Sequence, residues 1–478
     1  MMMRAVSSST PALGRRASPA LRQLAFPLCR ATSLASEASS LRSYSSSSSR
    51  YDKIEDYKKY LSPQSAARKP SAIRKLMPLL SRPGMVSLGG GLPNPNLFPF
   101  TSLKFGVKDP TGDAAELDLS PEEVAMALQY SPTPGVPGLV KKLRSLQSWE
   151  HGRDIGPDGD YDVAVTVGSQ DGLTKGFEML LDPSSGDDEL FVESPTYSGA
   201  LAFLQPFGIK MTPVGSDGQG IRPEVLEDAL AKSPGKGRRV LYVIPTAQNP
   251  SGSSLTNDRR RAVYELAQKH DIIILEDDPY FFLHPKRKSL DSFLSLDFDG
   301  RVLRFDSMSK LISSGIRIGF TTGPKPLMER LGYHVQATNL HNSGLSQILT
   351  QKLLDHWGEA GFDLHATRVA EFYTQRRDVL LSAAERHLSE LAEWDVPEAG
   401  MFLWIKLLGG ITDTTALIEE KAAAANVLFV PGQSFDPLDR PSPYVRASYS
   451  TASDEEMDLA MERLAGIVKG EIEISGAN

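Results

Sequence analysis

Within residues 306–320, DSMSKLISSGIRIGF, a single lysine, Lys310, stands among serines, and Arg317 follows seven positions later. The run RVLRF (301–305) before it reads as a buried strand, and IRIGF (316–320) alternates like another. A lysine placed there is either a solvated surface charge or a reactive amine. Four earlier apolar runs end the same way, in a few polar residues. VAVTV runs into GSQDGL (168–173), a turn entering a helix, where free N–H groups favour an anion such as phosphate and Ser169 and Gln170 add donors. The same residues also make a plain helix cap. LFVE runs into SPTYSG (194–199), where the ring of Tyr197 can stack on a flat heterocycle or simply pack. LYVIPT runs into AQNPSG (247–252), which sets the Asn249 amide before a turn. IIILE runs into DDPYFF (277–282), whose adjacent carboxylates are costly to bury unless a cation lies beside them. Alternation points Asp277 and Asp278 to opposite faces, so only one of them can meet a ligand.

Five strand ends thus carry phosphate donors, an aromatic ring, an amide, a carboxylate and an amine. Those types fit one cofactor, pyridoxal 5′-phosphate. Its aldehyde needs an amine, its ring nitrogen an anion, its phenolic oxygen hydrogen bonds, its face an aromatic ring and its phosphate an anion hole.

Such residues meet only if the strands that carry them lie side by side. DVAVTV (162–167), ELFVE (189–193), RVLYVIP (239–245), DIIILED (271–277) and RVLRF alternate with segments of helical spacing such as NDRRRAVYELAQKH (257–270). Strands apolar on both faces and separated by helices predict an α/β fold, with a mostly parallel sheet covered on both sides. Ligands bind such sheets at the carboxyl ends of the strands. A long helical stretch over about 343–390 leads to a smaller α+β unit with strands near MFLWIK (401–406), VLFV (427–430) and YVRASYS (444–450), closed by a helix over 454–470. The expected division is a presequence over 1–50, an N-terminal arm over 51–110, a large cofactor-binding domain over 111–370 and a small domain over 371–478.

Of the 478 residues, 40% are hydrophobic and 23% charged, as in ordinary globular chains. A formal net charge of −7 gives no reason to expect nucleic acid as a partner, and no uninterrupted apolar run reaches the length of a membrane span. The first fifty residues hold seven arginines, no lysine and one acid, the composition of a mitochondrial transit peptide, and predict delivery to the matrix. Without them, 45 basic residues face 58 acidic ones, a charge of −13. The one cysteine, Cys29, lies in this segment, so disulfides and cysteine-based metal sites are not expected in the remainder.

The strings GGLPNPNLFPF, ALQYSPTPG, GSQDGL, PTYSGAL, NPSG, EDDPYFFL, DSMSKLISSGIRIGF, GMFLWIK and PYVRASYS follow one another over about residues 60–470. In this the sequence resembles the fold-type I pyridoxal-phosphate aminotransferases of class I/II, among them the kynurenine/2-aminoadipate and fungal aromatic aminotransferases. The resemblance implies that Lys310 binds the cofactor aldehyde. The Asp-x-x-Tyr spacing back from Tyr280 selects Asp277 as partner of the ring nitrogen. Asn249 and Tyr280 would bind the ring oxygen, Tyr197 would stack on the ring, and Ser169, Gln170, Ser307, Ser309 and Arg317 would hold the phosphate. Tyr130 would reach the phosphate bound by the other subunit, which makes the enzyme a homodimer with shared sites. Arg446 would grip the substrate carboxylate, with Arg74 and Gly91 beside the substrate side chain. Serine replaces a commoner proline at position 314 and a commoner threonine at position 251, with the following glycines kept.

The activity so implied is a two-stage transfer of an amino group from 2-aminoadipate, kynurenine or an aromatic amino acid to a 2-oxo acid such as 2-oxoglutarate. A β-lyase reaction on the same cofactor is the alternative chemistry. A cofactor-sensing regulator would carry an N-terminal helix-turn-helix, which the Arg/Ser-rich residues 1–60 do not resemble.

Overall fold

The computed structural model describes residues 51–72, 75, 79, 82–86, 88, 89 and 91–476. An antiparallel hairpin of β1 (Lys104–Lys108) and β2 (Ala114–Asp118) spans the expected boundary at residue 110 and leads to helix α1 (Pro137–His151). Strands and helices then alternate: β3 (Tyr161–Thr166), α2 (Gly168–Leu180), β4 (Glu189–Ser194), α3 (Ser198–Phe207), β5 (Lys210–Asp217), β6 (Gly220–Ile221), α4 (Pro223–Lys232), β7 (Arg239–Val243), α5 (Asn257–Lys269), β8 (Ile273–Asp277), β9 (Val302–Ser307) and β10 (Gly319–Pro324).

Strands β3 to β10 form one sheet in the order β3-β10-β9-β8-β7-β4-β5-β6. The pairs β4–β5, β4–β7, β7–β8 and β8–β9 are parallel, whereas β10 runs antiparallel to both β9 and β3. Alternate side chains fill two cores. Val240, Tyr242, Ile273, Leu275, Leu303 and Phe305 pack on the face covered by α2, and Leu241, Val243, Ile274 and Val302 on the face covered by α4 and α5. Each such buried side chain contributes about 2 kcal/mol, so the strand ends project from a rigid platform. Helix α5 begins where the Thr256 hydroxyl accepts the Arg259 N–H at 3.3 Å and carries Lys269 in its last turn, which suits the helix dipole.

The long helix α6 (Gly344–Leu388) is broken at Gly358, whose φ of 63° and ψ of −175° are not helical. A second sheet follows, in the order β11-β12-β14-β13, from β11 (Ala392–Trp394), β12 (Phe402–Leu407), β13 (Val430–Pro431) and β14 (Tyr444–Ser448). It packs on the end of α6 and on α7 (Asp454–Gly476) through Leu380, Leu403, Ile405, Val445, Met461 and Leu464.

Two strand boundaries differ from the expectation. The run 316–320 is not one strand: Arg317 has a φ of 53°, which breaks the extended backbone, and β10 starts at Gly319. Of the run 427–430, only Val430 pairs. None of the helices among the described residues is long and apolar enough to cross a membrane.

Candidate active site

The carboxyl ends of β3, β9, β8, β7 and β4 open on one side of the large sheet, and each bears the residues singled out above. From β3 the chain enters α2 through Gly168, held at a φ of 75°. A methyl group on Gly168 would collide with the guanidinium of Arg317. Arg317 donates from Nη1 to Ser309 Oγ at 3.2 Å and the Ser314 carbonyl at 3.1 Å, and from Nη2 to the Val167 carbonyl at 3.2 Å. Its charge is thereby fixed against the first turn of α2, where backbone N–H groups have no partners within the helix. The Ser309 N–H donates to Ser307 Oγ at 3.1 Å. Ser169 and Gln170 occupy the second and third positions of α2. The Gln170 side-chain amide donates one of its two hydrogens to the Gly199 carbonyl at 2.9 Å.

Tyr197 precedes α3, and its ring lies so close over Gly199 that any side chain at 199 would displace it. Burial raises the pKa of its hydroxyl, as does Asp277, while Arg446 and Arg317 oppose the shift. Asp277 closes β8 at 3% exposure. Its Oδ2 accepts the Tyr242 hydroxyl at 2.9 Å, and its Oδ1 is buried without a hydrogen-bond partner. Burial pushes this carboxyl up to about 7, against the Tyr242 hydrogen bond. Asp278 lies on the opposite face, where it accepts the Thr246 hydroxyl and Arg304 Nη1, both at 3.1 Å.

Arg446, on β14, donates from Nη1 to Asn249 Oδ1 at 2.8 Å. Its guanidinium lies 4.3 Å from the ring centre of Phe402 and 5.0 Å from that of Phe435, two contacts that hold a cation in place. Its Nε is buried without a partner, and burial lowers its pKa. Tyr280 sets its ring edge-on to Phe402 at 5.9 Å. Burial, Asp277 and Tyr197 raise the pKa of the Tyr280 hydroxyl against Arg446 and the Asn249 side chain. Lys310 sits half-buried in the turn after β9, where the Ile312 N–H donates to the Met308 carbonyl at 2.8 Å. Burial pulls its amine pKa down, and Arg317 and Arg446 add to the shift. Among the described residues the amine has no hydrogen-bond or ion-pair partner.

The structure therefore brings Lys310, Arg317, Ser307, Ser309, Asp277, Tyr280, Tyr197, Asn249 and Arg446 near one another at the strand ends, through the contacts and charge interactions just described, with Ser169 and Gln170 at the mouth of α2. It does not bring in Tyr130, which is 48% exposed and packs edge-on against His341. Gly91 is exposed, with open space around its Cα. Arg74 lies outside the described residues. The sequence reading missed Tyr242, Gly199 and the rings of Phe402 and Phe435. Tyr242 carries the one available signal, a hydroxyl inside the apolar strand RVLYV.

The family profile described as aminotransferase class I and II matches residues 110–464. The chain belongs to this aminotransferase family. The bovine mitochondrial kynurenine/α-aminoadipate aminotransferase is 44% identical over 429 residues, covering 87% of this chain and 99% of its relative. Among solved structures, the Candida albicans aminotransferase Aro8 superposes with a TM-score of 0.79 at 27% identity, covering 88% of this chain and 100% of the other. The Pyrococcus horikoshii kynurenine aminotransferase, solved with PMP, has a TM-score of 0.68 at 29% identity, with 87% and 99% covered. The protein is an aminotransferase with the fold-type I architecture, and its family implies a pyridoxal-phosphate cofactor.

Proposed function

We propose that this aminotransferase holds pyridoxal 5′-phosphate at Lys310. It moves an amino group from L-2-aminoadipate, L-kynurenine or an aromatic amino acid to 2-oxoglutarate, in the mitochondrial matrix. The observation that carries the reading is Asp277 Oδ1, buried without a partner in a pocket that also holds an unpaired amine. An N–H cation at that oxygen would lower the carboxyl from about 7 and keep it ionised. The cup formed by Gly168, the first turn of α2 and Arg317 suits a phosphate. The residues present therefore fit the cofactor. When bound, it supplies an electron sink for charge developing at the substrate Cα.

The chain's own groups would do the rest. Lys310 Nζ, shifted down by burial and two arginines, is more often neutral than a surface lysine and takes the proton from the substrate Cα. Arg446, steadied by Asn249 and two rings, receives the α-carboxylate through paired hydrogen bonds. Asn249 and Tyr280 would hold the ring oxygen, Tyr197 would stack on the ring, and Arg74 and Gly91 would serve the substrate side chain. The exposed Tyr130 reaches the phosphate site of a second copy in a homodimer. The large domain spans 111–370 and carries the cofactor, and the small domain, 371–478, brings Arg446. The relatives' names and the arginine-rich first fifty residues support the substrate class and the compartment.

A half-reaction screen tests this. Holoenzyme mixed with one amino acid at a time should lose its visible absorbance with 2-aminoadipate, kynurenine or an aromatic amino acid, and 2-oxoglutarate should restore it. Release of pyruvate and ammonia without an acceptor would replace the reading with a β-lyase.

A further inference from the structure

Behind the pocket, on the other face of the sheet, lies a set of charges to which no step above assigns a task. Arg304 is fully buried within β9, with Glu276, Asp278 and Asp306 at 0–1% exposure around it. Its Nη1 lies 2.9 Å from Glu276 Oε1 and 3.1 Å from Asp278 Oδ2. Its Nε donates to both oxygens of Asp306, at 3.2 and 3.0 Å, and its Nη2 to Oδ1 at 2.9 Å. The guanidinium also lies 4.8 Å from the ring centre of Phe281, next in sequence to Tyr280.

The contacts of this one side chain bridge two strand ends. Asp278 follows Asp277, and Asp306 precedes Ser307, four residues before Lys310. Opposed pairs in the ladder, Glu276 with Arg304 and Asp277 with Phe305, place the cluster and Asp277 on opposite faces. Glu276 is anchored in turn by the N–H groups of Phe293 and Leu294, at 2.8 and 3.0 Å. The other ionisable groups facing the cluster are Arg260, His151 and Glu150. A buried cation sharing three carboxylates is held in one geometry, because a shift of either strand end would leave a charge unpaired.

We propose that Arg304 is a positioning residue, clamping the ends of β8 and β9 from behind so that the Asp277 carboxylate and the Lys310 amine keep a fixed separation, while its charge offsets the three carboxylates behind Asp277. This rests on the roles given above to Asp277 and Lys310. Without Arg304, Asp278 and Asp306 would act on Asp277 unopposed and favour its neutral form. The cofactor's ring nitrogen would then hold its proton less well, and the proton on the nitrogen of Lys310 would be held more tightly.

The test uses Arg304→Met and Arg304→Lys holoenzymes, with Asp306→Asn as a milder variant that leaves Arg304 paired to Glu276 and Asp278. Each is assayed for thermal unfolding, for the pH titration of the cofactor's visible absorbance and for the single-turnover rate with L-kynurenine or, if wild type does not turn that over, L-2-aminoadipate. Arg304→Met should move the titration midpoint up by about one pH unit and slow the turnover by about 10²-fold, as a misplaced reacting group does. Arg304→Lys should recover part of both. Asp306→Asn removes a carboxylate that favours neutral Asp277, so it should move the midpoint the other way, down and by less, while slowing turnover a few-fold through the loosened clamp, and it decides the matter if Arg304→Met does not fold. Wild-type midpoint and rate in a folded Arg304→Met protein, or in Asp306→Asn, would overturn the proposal, as would a lysine that recovers nothing. A wild-type holoenzyme with no titrating absorbance would instead overturn the proposed function.

Discussion

The two faces of the sheet at the ends of β8 and β9 handle charge in opposite ways. On the rear face Arg304 meets three carboxylates within 3.2 Å, so each is paired with a cation even though Asp278 Oδ1 itself accepts no hydrogen bond. On the front face Asp277 Oδ1 has no partner, Arg446 Nε has none, and the Lys310 amine is held half-buried with two arginines acting against its charge. Burying an unpaired charge costs several kcal/mol, so the rear cluster is built to stay as it is and the front one to be completed by a ligand. Stability and reactivity are separated by the thickness of one strand.

Lys310→Ala is the severest test of that separation. It should slow single turnover by about 10⁴-fold, the upper range for a positioned base, yet leave the melting temperature of the apo-protein unchanged or higher. A marked fall in melting temperature would place Lys310 with the structural charges.

The next effect concerns Asp277 in the apo-protein. Its folded carboxyl, at about 7, lies above the unfolded value, so the stability tied to its neutral form is complete below about pH 4 and lost as the pH rises through 7. The loss should approach about 4 kcal/mol by pH 8. Denaturant titration at pH 5 and pH 8 should show a smaller difference for Asp277→Asn than for wild type; equal differences would refute the unpaired state. Glu193 and Asp306, raised by burial to about 8 and about 6, slope the same way in both proteins and cancel in the comparison.

Arg446→Met should lower kcat/KM by about 10²-fold, the cost of removing one member of a buried charge pair, without changing the spectrum of the bound cofactor. Smallest is Tyr242→Phe, which removes a hydrogen bond worth about 1 kcal/mol. It should push the Asp277 carboxyl further up and weaken cofactor binding at pH 8 several-fold, as read by equilibrium dialysis.

Much of the front face was legible in the sequence, because each strand end announces itself where an apolar run stops. The expectation that DD at 277–278 needs a cation was sound, and Arg304 supplies it. The source was hidden because an arginine within RVLRF, 26 positions on, is brought beside Asp278 only by strand order. The antiparallel course of β10 was equally invisible, since a strand buried on both faces reads the same in either direction. The short strands β6 and β13 have too few residues to show a period. The resemblance supplied the choice of Asp277 over Asp278; the two differ in that Asp278 is paired with Arg304, whereas Asp277 accepts only the neutral Tyr242 hydroxyl.

Ser307 and Gly319 face each other across the β9–β10 ladder. Residues 308–318 are therefore tethered at both ends to neighbouring rungs, and Lys310 and Arg317 hang from the same short span. An inserted or deleted residue there cannot be taken up by slack, because slipping β10 by one position would turn its side chains to the wrong face. The segment should accept changes of side chain at Ser313 far more readily than any change of length.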